Sequence, residues 1–433
     1  MISFINRCHR SLRLFSRDLF KLGGESAFSD IPGFPQLFDS EWYRKRYPDV
    51  AASHWDPVEH YQRYGIAEQR DPHPLFNSRW YSSRYLQSPG ADPVPIVHYL
   101  LEGVKAGYDP HPRFDTEWYL SRNSDIDIGH QIPLLHYVER HGSDPRGLIR
   151  SIRDRITDLR SNPDSFPLPG RLTDEAGIVI SASGKLMKPL YANLRNIRDQ
   201  GCTLPIDIWH LPGEFTAKQQ SALSHLASFV EAHDTPFGHL SGQHEVHGFK
   251  AWMLLKSRFE RTLMLDVNSF PLNDLGPIFH TDHNSVLWRD GPWNTYLEGV
   301  SELRTALGIS LYPHEFESGQ LYVNKSSVGV QRVLRLVAAL NTLGRRLYAY
   351  TYGDKETYAI AFDLLSEPFT LAPEPQVSLS QASRAVDGGL VHQWLDGSPV
   401  FYHPLGDKEQ WWHFKDEWRA LKKEARKVEE SCR

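Results

Sequence analysis

The apolar run Leu263-Met264-Leu265 ends in Asp266-Val267-Asn268, and this strand end carries the most informative chemistry of the chain. Side chains alternate along an extended strand, so Asp266 and Asn268 share one face. Two oxygen donors at that spacing suit a divalent cation, Mn2+ or Mg2+, which keeps other positions for water and diphosphate oxygens. Strands also end in Asp or Asn simply to cap the following turn, and spacing alone leaves both uses open. Other chemistries are easier to set aside. Neither a GxGxxG turn nor a P-loop occurs, which speaks against dinucleotide oxidoreductases and P-loop enzymes. His244-Glu245-Val246-His247 lacks the gap that puts zincin histidines one helical turn apart, and the loop around Asp282-His283 is short of ligands. Cys8, Cys202 and Cys432 are too far apart for a disulfide framework or a metal knuckle, and suit a reducing compartment.

Strands alternating with helices must position Asp266. Gly177–Ser181 reads as a buried strand, with a turn at Ser183-Gly184 and a helix over residues 188–200. Strand 204–209, helix 216–228, strand 229–232, helix 248–259 and strand 261–266 follow. The expected class is α/β, a mainly parallel sheet with helices on both faces and ligands beyond the carboxyl ends of its strands. Further on, runs 390–395 and 398–402 flank Asp396-Gly397, a hairpin signal whose second strand delivers His403. Residues 415–430 read as a charged helix with Trp411, Trp412 and Trp418 at its base, packing back on the domain or mediating assembly.

The N-terminal third is built differently. Phe38-Asp39, Phe76-Asn77 and Phe114-Asp115 stand 38 residues apart, as do Trp42-Tyr43, Trp80-Tyr81 and Trp118-Tyr119. The same period links His60-Tyr61, His98-Tyr99 and His136-Tyr137. Such a period indicates stacked supersecondary units, here two short helices each, forming a small all-α domain over residues 31–148. Asp39 or Asp115 caps the first helix, and Asp56-Pro57 or Asp92-Pro93 opens the second. Gly65 or Gly103 is expected to end the second helix in a left-handed conformation. The recurrent His-Tyr pair fills a packing slot, and the repeats read as a scaffold or docking surface. Residues 149–174 hold a helix and a Pro-rich linker, leaving 175–410 as the catalytic-type domain and 411–433 as the terminal helix.

Lys and Arg number 48 against 53 Asp and Glu, a net charge of −5 that argues against nucleic-acid binding. No apolar run approaches the roughly 18 residues of a membrane span. Residues 1–30 lack the features of a secretory signal. There Ile5, Cys8, Leu12, Phe15, Leu19 and Leu22 form an apolar stripe opposite Arg10, Arg13, Arg17 and Lys21, fit either to lie on an anionic bilayer or to pack on the protein itself.

Seven blocks across residues 177–410 resemble the fungal Golgi α-mannosyltransferase family. They are Gly177-Ile178-Val179-Ile180; Gly201–Ile206; Gly248-Phe249-Lys250 with Leu254–Ser257; Leu265–Asn268 with Pro271-Leu272; Trp288-Arg289-Asp290; Glu317-Ser318-Gly319-Gln320; and Gly353–Thr357. The resemblance implies a GT-A nucleotide-sugar transferase fold and transfer of a hexose, mannose from GDP-mannose in the first instance, to a growing surface glycan. The repeats resemble modules attached to bacterial surface-polysaccharide glycosyltransferases, which implies a cytoplasmic setting, with peripheral contact to the membrane's inner face through the N-terminal arm. The family's metal motif is Asp-x-Asp, and here Asn268 takes the third position, contributing no charge. His403, Gly406 and Lys408 are similar to the His–Gly–Lys segment with which retaining GT-A enzymes add a metal ligand and a diphosphate-binding lysine, one residue shorter here.

By this resemblance Asp266, Asn268 and His403 hold the metal. Ser183, Gly184, Lys250, Asp266, Gln320, Lys355 and Lys408 face the donor. Asp290, Glu317 and Asp354 are the catalytic candidates, stabilising charge at the anomeric carbon or acting as nucleophile. Trp288, Trp293 and Tyr296 are candidates to stack on acceptor rings, with core packing as the competing use. Two alternatives stay open: a transferase using a UDP-sugar, and a non-catalytic docking protein that keeps a degenerate GT-A domain.

Overall fold

The computed structural model describes residues 28, 30–87, 94–162, 172–237, 243–291, 297–379, 388–404 and 416–432. The N-terminal arm before Phe28, Asp92-Pro93, the Pro-rich stretch 163–171, Trp293, Tyr296, Gly406, Lys408, Trp411 and Trp412 lie outside them. The chain divides into two compact units, Met1–Ile152 and Arg153–Arg433. Among the described residues, no helix is long and apolar enough to cross a membrane.

The first unit is helical. Helices α1 (Phe34–Leu37), α2 (Ser40–Arg46), α3 (Pro48–Ala51), α4 (Pro57–His60), α5 (Ser78–Tyr85), α6 (Pro95–His98), α7 (Thr116–Arg122), α8 (Pro133–His141) and α9 (Ile149–Ser161) follow in order, and the division falls within α9. Local chemistry explains the starts. Asp39, Asn77 and Asp115 accept from the backbone N–H of Trp42, Trp80 and Trp118 at 2.9, 2.9 and 3.0 Å. Asp56 accepts from Val58 N–H at 2.9 Å ahead of Pro57, whereas α6 begins at Pro95 with Val94 as its cap. Repeats join through recurrent bonds: Asp39 N–H to Pro72 O and Asn77 N–H to Pro110 O, both at 3.0 Å. The three histidines meet tyrosines of the preceding helices, with His60, His98 and His136 Nδ1 at 3.3, 2.9 and 2.8 Å from the hydroxyls of Tyr43, Tyr81 and Tyr119.

One expectation is corrected here. Gly65 and Gly103 do not terminate their helices in a left-handed conformation. Helices α4 and α6 continue as wide turns bonded from residue i to i+5, Tyr61 O to Ile66 N–H at 2.9 Å and Tyr99 O to Val104 N–H at 2.8 Å. The positive φ angles come later, at Gln69 (54°) and Gly107 (69°). Glycine is needed for a different reason: a Cβ at Gly65 would lie 2.5 Å from the Tyr43 hydroxyl, and one at Gly103 2.2 Å from that of Tyr81. The glycines make room for the ring that pairs with histidine.

The second unit contains β1 (Asp174–Ser181), α10 (Met187–Asp199), β2 (Ile206–His210), α11 (Ala217–Leu223), β3 (Ser228–Glu231), α12 (Gln243–Lys256) and β4 (Phe259–Asp266). Then come β5 (Phe270–Pro271), α13 (Gly276–Phe279), β6 (Ser285–Arg289), α14 (Leu297–Leu307), β7 (Phe316–Asn324), α15 (Val328–Asn341), α16 (Arg345–Tyr348) and α17 (Lys355–Leu364). Strands β8 (Thr370–Leu371), β9 (Gln376–Leu379), β10 (Gly388–Gln393) and β11 (Pro399–Pro404) precede the last helix, α18 (Asp416–Cys432). The main sheet has the order β3-β2-β1-β4-β7-β6-β8, and a smaller one the order β5-β11-β10-β9. Strands β3, β2, β1 and β4 run parallel; β7 is antiparallel to both neighbours, and β6 and β8 again run with β4, so β7 alone is reversed in a sheet that is mainly parallel, as expected.

Apolar residues of β1, β2 and β4 (Ile178, Ile180, Ile206, Ile208, Leu263, Leu265) and of α10 build a continuous core. Helix α18 packs back onto it: Trp418 is buried and donates its Nε1–H to Asn196 Oδ1 at 3.2 Å. Strands β10 and β11 form the hairpin read around Asp396-Gly397, with Gly397 at φ 86°.

Candidate active site

Strand β4 carries Asp266 to the carboxyl edge of the sheet, opposite Ser181 of β1. The turn after it is held from below by α10. Asn193 is fully buried, and its Nδ2 lies 3.3, 3.3 and 2.9 Å from the carbonyl oxygens of Asp266, Val267 and Ser269. Carbonyls that no strand partner uses thus receive a fixed donor, which sets where Asp266 and Asn268 point. Sequence reading missed this residue, since a buried Asn on an amphipathic helix has no motif.

Lys250 of α12 lies among carboxylates. Its Nζ sits 2.7 Å from Asp266 Oδ1 and 3.4 Å from Ser318 O. Burial disfavours its charge, but Asp266, Asp354 and Glu317 outweigh that and raise its pKa further. Asp354, nearly fully buried, accepts from Ser318 Oγ at 3.2 Å and has His247 Nδ1 3.3 Å from its Oδ1. Burial opposes its ionisation, yet Lys250 and His247 prevail and hold its pKa below the usual carboxylate range. His247 belongs to the motif set aside as a zincin decoy; the structure gives it a different place, beside a catalytic candidate. Asp266 keeps 17% of its side-chain surface exposed, so the carboxylate is reachable from solvent.

A second cluster adjoins this one. Glu317, at the start of β7, accepts the backbone N–H of Ser318 and Gly319 on Oε1 at 2.8 and 2.6 Å, while its Oε2 faces His403 Nδ1 at 3.6 Å. Burial raises the cost of charge on Glu317, but His403 dominates and its pKa falls; in turn burial works against charge on His403, and Glu317 and Asp266 raise its pKa. His392 of β10 completes the group, with ligand-capable atoms of Glu317, His392 and His403 all within 4.8 Å of one another. His392 is fully buried, neither ring nitrogen has a hydrogen-bond partner among the described residues, and burial pulls its pKa down to about 3. In the sequence it reads only as a hairpin residue.

The remaining candidates separate. Asn268 is buried with Oδ1 unpartnered, and Gln320 is buried with Oε1 accepting from Ser269 Oγ at 3.0 Å and Nε2 unpartnered. Asp290 and Lys355 pair with each other at 2.7 Å, and Lys355 also contacts Glu315, so its charge is matched within the protein. Ser183 precedes the short turn Gly184–Leu186, and Gly184 N–H is already given to Glu214 O at 2.9 Å. Trp288 is corrected outright: it is fully buried against Trp394 and Phe401 and donates Nε1–H to Gln393 O at 3.0 Å, so no ring face is left for a sugar.

The architecture is a mainly parallel sheet whose carboxyl edge gathers acidic and basic side chains. A mannosyltransferase family model (Mannosyl_trans3) matches residues 175–297 and 301–393. Over these residues the chain belongs to this family. Among curated proteins it is similar to the α-1,2-mannosyltransferase MNN5 of Saccharomyces cerevisiae, 27% identical over 155 residues. That match covers 33% of this chain and 26% of the yeast protein, so the chain spans about a quarter of its relative's length. Among solved structures it is similar to the bifunctional glycosyltransferase WbbM (14% identity, 42% of this chain and 39% of that one, TM-score 0.30). It is similar also to GlyE of Streptococcus pneumoniae (12%, 59% and 64%, TM-score 0.33). A third is core-mannan synthase A of Aspergillus fumigatus in its Mn/GDP form (8%, 46% and 72%, TM-score 0.33).

Proposed function

We propose that the second unit transfers a mannosyl group from GDP-mannose, with retention of configuration, to a hydroxyl of a growing surface glycan. The observation that carries this reading is the Lys250–Asp266 pair at the strand edge, with Asp354 and Glu317 beside it, in a chain of mannosyltransferase family. When the C1–O bond of a sugar nucleotide breaks, positive charge grows at C1 and negative charge on the departing diphosphate. Lys250, held fully charged, answers the second. Asp354, held ionised and buried, answers the first at its own carboxylate. The acceptor oxygen bonds to C1 as the diphosphate takes the C1–O electron pair, and the acceptor's proton passes to the departing diphosphate oxygen.

A divalent cation would neutralise the diphosphate, as such ions do in phosphoryl and glycosyl transfer. The residues present fit one: among the described residues both nitrogens of His392 are buried without a partner, and His403 Nδ1 has none within hydrogen-bond distance. On this reading the protein works in the cytoplasm, at the inner face of the membrane through residues 1–25, and flotation with and without that segment tests the contact.

The decisive experiment incubates the full chain with each common nucleotide sugar and Mn2+, and follows released nucleotide and the anomeric coupling of the product. GDP release from GDP-mannose with an α-linked product is expected, and Asp354→Asn should lower it by about 10²-fold or more. Turnover of a UDP-sugar alone, or a β-linked product, would overturn donor or stereochemistry respectively.

A further inference from the structure

The structure assigns the cation a nitrogen-rich ligand set, Glu317, His392 and His403, in place of the Asp-x-Asn strand end. The proposal rests on the transferase reading above and specifies how that site holds its metal. At the strand end the sequence offers Asp266 and Asn268, yet the Asp266 carboxylate lies 2.7 Å from Lys250 Nζ and Asn268 brings no charge. The negative ligand that the third position lacks is found on the neighbouring strand β7. Glu317 commits Oε1 to two backbone N–H groups and leaves Oε2 turned toward the histidines.

Three features point to a built site rather than an accident of packing. First, ligand atoms of the three residues lie within 4.8 Å of one another. A cation bonded at about 2.1 Å needs its ligands about 3 to 4 Å apart, so the cluster has to close by only about 1 Å. Second, His392 is fully buried and both its nitrogens lack partners among the described residues, a costly arrangement that a ligated metal removes. Third, the backbone makes room for the ring of His403: a Cβ at Gly319 would lie 2.8 Å from its Nδ1 and Cε1. The block Glu317-Ser318-Gly319 therefore supplies one ligand and the space for another. The three come from different strands, β7, β10 and β11, so folding of the C-terminal hairpin against β7 assembles the site.

The ligand chemistry has a consequence for metal choice. Two imidazoles and one carboxylate suit Mn2+, Co2+ and Zn2+, whereas Mg2+ holds to oxygen donors and to its own water. The full chain should thus bind Mn2+ and Co2+ roughly tenfold or more tighter than Mg2+.

The test is metal binding, read without turnover. Calorimetry with Mn2+ gives affinity, and pulsed electron paramagnetic resonance of the bound ion detects directly coordinated nitrogen. In the full chain, nitrogen coupling from two histidines is expected. His392→Phe should weaken Mn2+ binding by about tenfold or more and remove part of the nitrogen signal. His403→Gln gives a second variant of the same kind, and Glu317→Gln should weaken binding without altering the nitrogen signal of whatever ion remains. Asp266→Ala should change Mn2+ affinity less than about threefold. Thermal melts of each variant confirm folding. Loss of binding in Asp266→Ala with His392→Phe unaffected, or an ion bound through oxygen alone, would overturn the assignment. Histidine-dependent Mn2+ binding in a chain that turns over no nucleotide sugar would uphold the metal site and overturn the transferase reading instead.

Discussion

Both units bury histidines, and they do opposite things with them. In the first, buried His60 and His98 and half-buried His136 each meet a tyrosine hydroxyl at 2.8–3.3 Å, in a geometry repeated three times. In the second, His392 is buried with no hydrogen-bond partner among the described residues, and His403 Nδ1 faces Glu317 at 3.6 Å. A satisfied buried polar group supports architecture; a buried group left without partners costs free energy and persists where a ligand completes it. Burial alone does not separate function from structure. The pattern of hydrogen bonds does.

Exchanging the histidines gives the largest test of that contrast. His392→Phe should lower donor turnover by about 10²-fold while leaving folding stability unchanged or improved, because it deletes two unsatisfied nitrogens. His98→Phe should do the reverse. It strands the buried Tyr81 hydroxyl, costs about 1–3 kcal/mol in the first unit, and leaves turnover at the wild-type rate. Chemical denaturation and nucleotide release, measured on both variants, check the pair. Equal stability losses in the two would erase the distinction.

These variants probe features of unequal visibility in the sequence. The caps of α2, α5 and α7 are local, three residues from donor to acceptor, so Asp39, Asn77 and Asp115 announce themselves. Gly65 and Gly103 are visible as glycines but not for their purpose, because the tyrosine they accommodate lies 22 residues earlier in the chain. Strand β7 is represented in the sequence reading only by the block Glu317-Ser318-Gly319-Gln320; its direction is fixed by pairing with β4 and β6, and no local pattern encodes it. At the site, Asp266, Lys250 and Asp354 are legible through matched blocks. His392 is not, because its significance is the lack of hydrogen-bonding neighbours, which only the packed fold reveals. Trp288 misleads for the converse reason: a tryptophan in a matched block suggests ring stacking, but its partners Trp394 and Phe401 come from the distant hairpin.

A smaller effect sharpens the structural half of the comparison. Gly103→Ala places a methyl group 2.2 Å from the Tyr81 hydroxyl, and that ring cannot retreat without giving up His98. The expected loss is about 1–3 kcal/mol, with no change in turnover. Gly107→Ala is the control, since no atom lies within 4 Å of the point its methyl group would occupy and only the left-handed backbone resists it. That variant should cost about 1 kcal/mol. A Gly103→Ala protein as stable as wild type would show that the wide turn adjusts freely and that the tyrosine–histidine pairs are not what fixes the repeat.

Glu356 is intermediate between the two classes and carries the last prediction. It is almost wholly buried, and its carboxylate accepts one bond, from Phe316 N–H at 2.7 Å. Burial raises its pKa to about 7, against the lowering influence of that bond and of Arg304. A carboxyl group with a raised folded-state pKa keeps its proton where the unfolded chain has lost it. Through this group stability therefore falls as pH rises from about 4.5 to about 7 and is flat above. Glu356→Gln preserves an oxygen for Phe316 and removes the ionisation. The variant should match wild type near pH 4.5 and exceed it by about 1–3 kcal/mol at pH 8, read as the denaturation midpoint of the second unit. An equal loss at both pH values would mean that Glu356 is held charged by its neighbours, which would place it with the satisfied histidines of the repeats rather than with His392.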